Sequence, residues 1–401
     1  MIDRNLLRQS PEVVRQSLEK RQENPELIEK ILASDRRWRE AVKQIESLRA
    51  ERNALSAHGK PTGAKLKRAK LIADKLRRLT AEVRSLERKL EQQWLDLPNL
   101  VAEDVPPGGE ESNRVIRQVG QPSLRAGRPH HELMMALGWL DLKTAATYSG
   151  SRFRYLQGRG AWAHLQLMLQ ALRFAVQNGF TLVIPPVLTR EITLERAGFF
   201  PKSKDDIFAL EKDNLYLAGT SEQTLLALAA DRVFSSEELP RHWVGFSTCF
   251  RREAGSYGRD VEGMFRQHQF DKVELVVITT AEESAGELER LVRLEEQFVT
   301  SFKLPYQSVL TGAADLSPAA AKKIDLESYF PSQGRYRETH SASNCTDYQA
   351  RRFNIKYRSS GKIQFAHTLN ATLATERLML AIIENSQRPD GSVALPRSLR
   401  L

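Results

Sequence analysis

The chain has 401 residues, enough for two or three domains with a substantial core, and its 60 basic and 50 acidic residues give a formal charge of +10. That excess points to an acidic polymer as partner more than to a membrane, and no apolar run approaches the ~18–20 residues of a bilayer span. Two cysteines, Cys249 and Cys345, allow at most one disulfide and lack the paired spacing of a thiolate zinc site, so a reducing cytoplasm is the expected compartment.

The opening MIDRNLLRQS carries Asp3 and no apolar run behind it, unlike a secretory signal. Residues 27–97 then show two helical patterns. In the first, Ile31, Trp38 and Ile45 recur every seven residues with Ala41, Leu48 and Leu55 between them. In the second, Ile72, Leu76, Leu79, Val83, Leu86 and Leu90 alternate spacings of four and three, which is an a/d seam. Between them Gly59, Pro61 and Gly63 would each stop a helix. The pattern predicts an antiparallel helical hairpin roughly 45–50 Å long at ~1.5 Å per residue.

Residues 25–100 hold 18 Lys+Arg against 11 Asp+Glu, so most of the excess charge is local to this arm. Lys60, Lys65, Lys67, Arg68, Lys70, Lys75, Arg77 and Arg78 crowd the turn and the first half of the second helix, opposed within residues 60–78 only by Asp74. Such a strip suits a phosphate backbone. A solvated spacer or an oligomerisation coil has the same periodicity, and the strip alone leaves those readings open.

The coil pattern ends at Pro98, and AEDVPPGGEES (102–112) reads as a linker, placing the domain division at 1–104 and 105–401. Beyond it a helix is expected over Ala161–Asn178, followed by the strand FTLVI and Pro185-Pro186. Further strands are expected at Leu215–Ala218, His242–Glu253, Gln269–Ile278, His340–Ala342 and Lys362–His367, with a last helix over Leu373–Asn385. Irregular alternation of helices and strands with an evident hairpin predicts an α+β fold, its sheet mainly antiparallel and flanked by helices.

The segment CFRREAGSYGRDVEGMFRQHQFDKVE (Cys249–Glu274) carries the chemistry. Two strands flank a loop punctuated by Gly255, Gly258 and Gly263. Side chains two apart in a strand share a face, so Arg251 pairs with Glu253, and Phe270 with Lys272 and Glu274. Charges and a ring on one side are poor material for a core and good material for a nucleotide. An arginine fork grips an α-phosphate, a carboxylate accepts from an adenine amino group, and an aromatic face stacks on the base. Any one of these residues alone is more often part of a surface ion pair; the whole set at this spacing is not.

FRREAGSYGRDVEGMFRQHQFDKVE resembles the second signature motif of seryl-tRNA synthetases, a class II aminoacyl-tRNA synthetase family. LDLKTAATYSGSRFRYL, GFTLVIPP, YLAGTSE, AAKKIDLESYFP, ETHSASNCTDYQARR and HTLN…LATER…AIIENSQ follow the family's order, and the basic hairpin with LRAERNALS matches its N-terminal arm. The resemblance covers essentially the whole chain. It implies an N-terminal coiled-coil arm that binds tRNA and a class II catalytic domain with ATP and Mg2+ as cofactors. Serine would attack the α-phosphate to give seryl-adenylate. Serine tRNA would then take the seryl group, with selenocysteine tRNA as a second candidate acceptor. A cytoplasmic homodimer is expected, with its interface near Ala161–Pro186 and neither DNA nor a membrane as partner.

By motif position, the resemblance implies catalytic roles for Arg251, Arg377 and Glu338. Its ATP site would comprise Arg251, Arg252, Glu253, Arg266, Phe270, Glu338, Thr339, His340, Ser341 and Arg377, with Glu338 and Ser341 holding the metal. Its serine site would comprise Thr220, Ser221, Glu222, Arg251, Glu274 and Thr372. The tRNA contacts would be Lys65, Lys67, Arg68, Lys70, Lys75, Arg77 and Arg78. The run from Asn370 to Arg377 departs from the family by being one residue shorter and lacking its glycines. Other readings are a non-charging paralogue that binds tRNA or regulates, a ligase that loads a carrier protein, and a pure coiled-coil protein. The retained Arg251, Glu253, Glu274, Glu338 and Arg377 weigh against the first. The long arm weighs against the second, and the residues beyond the linker against the third.

Overall fold

The computed structural model describes residues 1–57, 62–123, 126–254 and 263–400; Gly59, Lys60, Pro61, Gly255 and Gly258 fall outside them. Its contacts divide the chain into two compact units, one of Ile2–Glu19 and Glu23–Pro98, the other of Met1, Lys20–Gln22 and Asn99–Leu401. No helix among the described residues is long and apolar enough to cross a membrane.

In the first unit two short helices, α1 (Arg4–Gln9) and α2 (Pro11–Lys20), precede two long ones, α3 (Glu26–Ser56) and α4 (Gly63–Leu95). Ile45 of α3 is buried against Ile72 and Leu76 of α4, with Leu48, Leu55, Leu79 and Val83 around them. Nearer the turn Glu51 takes Arg68 Nε at 2.7 Å, so α3 and α4 run antiparallel. Each fully buried Ile or Leu of this seam contributes roughly 1.5–3 kcal/mol, which helices that are polar everywhere else need. Asp35, fully buried, would be raised by that burial, but bonds from Arg8 and Arg39 hold it below the usual carboxylate range.

The second unit is built on an eight-stranded sheet. In chain order its strands are β1 (Arg114–Val119), β2 (Thr181–Val183), β3 (Arg241–Phe250), β4 (Gln269–Thr279), β5 (Tyr306–Leu310), β6 (Lys322–Phe330), β7 (Arg335–Asn344) and β8 (His367–Thr375). The spatial order is β1-β5-β6-β7-β8-β4-β3-β2, antiparallel throughout except where β2 runs parallel to β3 at one edge. Helices α5 (Gly158–Gln177), α6 (Ser284–Thr300) and α7 (Glu376–Asn385) cover one face, burying Val273, Leu275 and Val277 of β4 in the main core. Lys272 and Glu274 alternate with these and emerge on the opposite face, where the candidate site lies.

Three differences from the sequence-based expectation matter. Strand β3 ends at Phe250 instead of Glu253. The expected strand Lys362–His367 divides, and His367–Thr375 forms the long central β8. The last helix therefore begins at Glu376, not Leu373, capped by Thr375, whose Oγ1 accepts from Arg377 N. Cys249 and Cys345 are both free and buried, and burial pushes the Cys249 thiol up to about 11.

Candidate active site

Beyond Phe250 the chain leaves β3 but stays beside β4, since Arg251 N donates to His268 O at 3.0 Å. This keeps the Arg251 side chain over the open face. Its guanidinium lies 5.2 Å from the Phe270 ring centroid and its Nε donates to Gly219 O at 3.2 Å. Glu253 sits at φ +52°, and its Oε2 takes Arg266 Nη1 at 2.7 Å. Arg377, at the capped start of α7, reaches Glu338 Oε1 at 3.2 Å. Together with Asp206, Lys272 and Glu376, these six residues line a cavity of about 440 Å³, in which three guanidiniums and an ammonium stand among four carboxylates and a ring. The concentration of fixed cations at a helix N-terminus suits a polyanion.

Two bulges aim further side chains into this cavity. Opposite β6, Leu326 pairs with His340 and Glu327 with Glu338, leaving Thr339 as an extra residue in β7. Opposite β4, Val273 pairs with Ala374 and Glu274 with Thr372, leaving Leu373 extra in β8. An extra residue shifts the side-chain alternation by one. Glu338 and Ser341, three apart, consequently line one cavity, as do Thr372 and Thr375. His340 ties the two bulges together beneath the site. Its Nε2 lies 3.1 Å from Leu373 O and its Nδ1 2.9 Å from Thr339 Oγ1. A carbonyl can only accept, so Nε2 carries the proton and Nδ1 accepts. Burial drives the His340 pKa down to about 4, leaving the ring neutral.

A second cavity of about 350 Å³ adjoins the first and shares Asp206, Arg251, Lys272, Ser341 and Thr372 with it. Lys272, almost wholly buried, places Nζ 2.6 Å from Glu274 Oε2 and 3.3 Å from Thr220 Oγ1. Thr372 Oγ1 donates to Glu274 Oε2 at 3.4 Å. Burial raises the Glu274 carboxyl, against the opposing pull of Lys272. Glu222, at the start of a short helix (Glu222–Ala227), accepts at Oε1 from Gln349 Nε2 at 2.7 Å and Asn370 Nδ2 at 3.1 Å. Burial first, and repulsion from Glu274 second, push the Glu222 carboxyl up to about 7. This short helix can seat on β3 because Gly245 has no side chain: a Cβ there would lie 2.8 Å from Leu225 Cδ1 and Ser221 Oγ.

Of the residues singled out in sequence, Arg251, Glu253, Arg266, Phe270, Glu338, Thr339, Ser341 and Arg377 meet at the first cavity. Thr220, Glu222, Glu274 and Thr372 meet at the second. Three others lie outside both linings. Arg252 turns back over the Phe208 ring at 4.7 Å, His340 is interior, and the fully buried Ser221 packs toward Gly245. In the arm, Lys65, Lys67, Arg68, Lys70, Lys75, Arg77 and Arg78 are all exposed along α4. Sequence reasoning gave no role to Lys272, Asp206, Gln349 or Asn370, although Lys272 shares its strand face with Phe270 and Glu274. The meeting of Gln349 and Asn370 at Glu222 joins three distant segments and has no local signature.

Comparison with known proteins agrees across the chain. Residues 1–101 match the seryl-tRNA synthetase N-terminal domain, and residues 207–386 match the tRNA synthetase class II core domain (G, H, P, S and T). A serine–tRNA ligase of Acidothermus cellulolyticus is 45% identical over 408 residues, covering 100% of this chain and 97% of the relative. Among solved structures, seryl-tRNA synthetase from Pyrococcus horikoshii complexed with ATP superposes with a TM-score of 0.94 at 36% identity, covering 100% of this chain and 97% of that one. Cytoplasmic serine–tRNA ligase from Naegleria fowleri in complex with AMP gives 0.89 at 30% identity, covering 100% and 96%.

Proposed function

This chain belongs to the seryl-tRNA synthetase family, and we propose that it is a serine–tRNA ligase in which the two joined cavities hold ATP and L-serine. The observation that carries this reading is the position of Arg251, shared by both cavities, where a serine carboxylate would meet an α-phosphate. The carboxylate oxygen attacks the α-phosphorus, pyrophosphate leaves, and seryl-adenylate forms. A terminal ribose hydroxyl of tRNA then attacks the seryl carbonyl and releases AMP. The site works by alignment and charge stabilisation.

Arg251 stabilises charge building on the α-phosphate, and Phe270 releases its contact with that guanidinium to stack on adenine. Glu253 accepts from the adenine amino group, while Arg266 and Arg377 take the β- and γ-phosphates. Glu222 and Thr220 hold the serine ammonium. Glu274 and Thr372 pair with the serine hydroxyl, and alanine would forgo those bonds. Glu338 and Ser341 would hold Mg2+: their hard oxygen donors, brought to one cavity by the bulge at Thr339, fit that ion. When bound, it would neutralise charge on the phosphates.

Further parts of the reading concern partners. The arm docks tRNA through its exposed basic residues. The chain pairs as a homodimer through α5, whose Trp162, Leu165, Leu169 and Val176 expose one apolar stripe. The test is ATP–pyrophosphate exchange with the twenty amino acids offered singly, then charging of total tRNA. Serine alone should support exchange, and Arg251→Ala should abolish it. Exchange with another amino acid, or near-normal exchange in the variant, overturns the assignment.

A further inference from the structure

Residues Gln269 and Asp271 flank Phe270, and both are tied down from the face of β4 opposite the ring. Arg154, in the loop before α5, donates from Nη1 to Gln269 O at 2.6 Å and from Nη2 to Glu376 Oε1. That same Glu376 oxygen accepts from Asp271 N at 3.0 Å. The Asp271 side chain is fixed in turn, by His164 Nε2 of α5 at 2.8 Å and Thr248 Oγ1 of β3 at 2.7 Å. Arg154 and Glu376 are nearly buried, with side chains 10% and 4% exposed. Glu376 immediately precedes Arg377.

We infer that Arg154 and Glu376 form a positioning clamp that fixes the distance between Phe270 and Arg377, the two ends of the ATP site. The clamp holds the backbone on both sides of Phe270 and attaches it to the residue immediately before Arg377. It rests on the ATP reading given above. Glu376 also lines the first cavity, but the role assigned here to each residue is exerted through a neighbour. His164, Asp271 and Glu376 also bring ligand atoms within 4.8 Å of one another, the spacing of a cation site. The Arg154 guanidinium already pairs with Glu376 Oε1 and supplies positive charge there in place of an ion.

The clamp predicts an effect confined to one substrate. In serine-dependent pyrophosphate exchange, Arg154→Met and Glu376→Gln should each raise the KM for ATP roughly tenfold, since misplacement by about 1 Å is costly at such a site. The KM for serine should change less than twofold, because Glu222, Glu274 and Thr372 take no part in the clamp. The double variant should be no worse than either single one, as both remove one shared contact. Parallel rises in both KM values, or none, would show that the pair is structural only and overturn the clamp. If Arg154→Met does not fold, Arg154→Lys decides. It keeps the charge but cannot span both acceptors, and an unchanged ATP KM would refute the inference. Absence of exchange in the unmodified protein would instead refute the functional reading beneath it.

Discussion

At Glu222 a single buried carboxyl is asked to do two incompatible things, to sit among protein groups and to meet an ammonium. Burial and Glu274 push it up to about 7, while Gln349, Lys272 and Arg251 pull the other way; Cys345 also lies nearby and is un-ionised, its thiol raised by burial. Below that pH it holds a proton which the serine ammonium must displace. The KM for serine should therefore fall as pH rises toward about 7, by up to about tenfold per unit, and level off above it. Glu222→Gln should flatten the profile; an unchanged slope would assign the titration elsewhere. Stability runs in the opposite sense. The folded pKa lies above the unfolded one, so the contribution is complete below about 4.5 and is lost as pH rises to about 7. Arg251, Phe270 and Glu274 were legible in sequence because strand alternation puts chemistry on one face. Arg252 follows the same alternation to the other side, over Phe208, and a motif list cannot see that. Lys272 went unassigned because its role depends on Thr220 and Glu274 closing around its ammonium.

Among the elements, the arm was the most legible, since a seam repeating by sevens is a property of local sequence. The seven basic residues named on α4 face solvent, and among them only Arg68 and Arg77 have described acidic partners, Glu51 and Asp74. Neutralising Lys65, Lys67, Arg68 and Lys70 together should raise the KM for tRNA by roughly tenfold or more at moderate salt and weaken its salt dependence. Serine-dependent pyrophosphate exchange should stay intact, and an equal loss there would deny the arm a dedicated tRNA role. Strand β8 was the least legible element. HTLNATLAT mixes alanine and leucine, which favour helix, with threonine, which does not. Its bulge at Leu373 also breaks the alternation that would have announced a strand. Only pairing with β4 and β7 decides its state, and that is tertiary information.

For the whole molecule, the apolar stripe on α5 continues to the sheet edge, where Leu182 is 44% and Ile184 79% exposed. An edge strand bearing such residues needs a cover. Replacing Leu165 and Leu169 with Asp should shift sedimentation from dimer to monomer and reduce exchange activity, because α5 also carries His164, which steadies Asp271. A fully active monomer would remove the dimer from the proposal.

The paired bulges at Thr339 and Leu373 carry a consequence of another kind. A strand is a binary counter, and each bulge resets its parity between two side chains of the site, Glu338 and Ser341 in one strand and Thr372 and Thr375 in the other. Losing one residue between 371 and 374 would not make the pocket shallower. It would turn part of it inside out, sending hydroxyls to the core and leucine toward the substrates. The specification of this site is thus written as much in how many residues there are as in which.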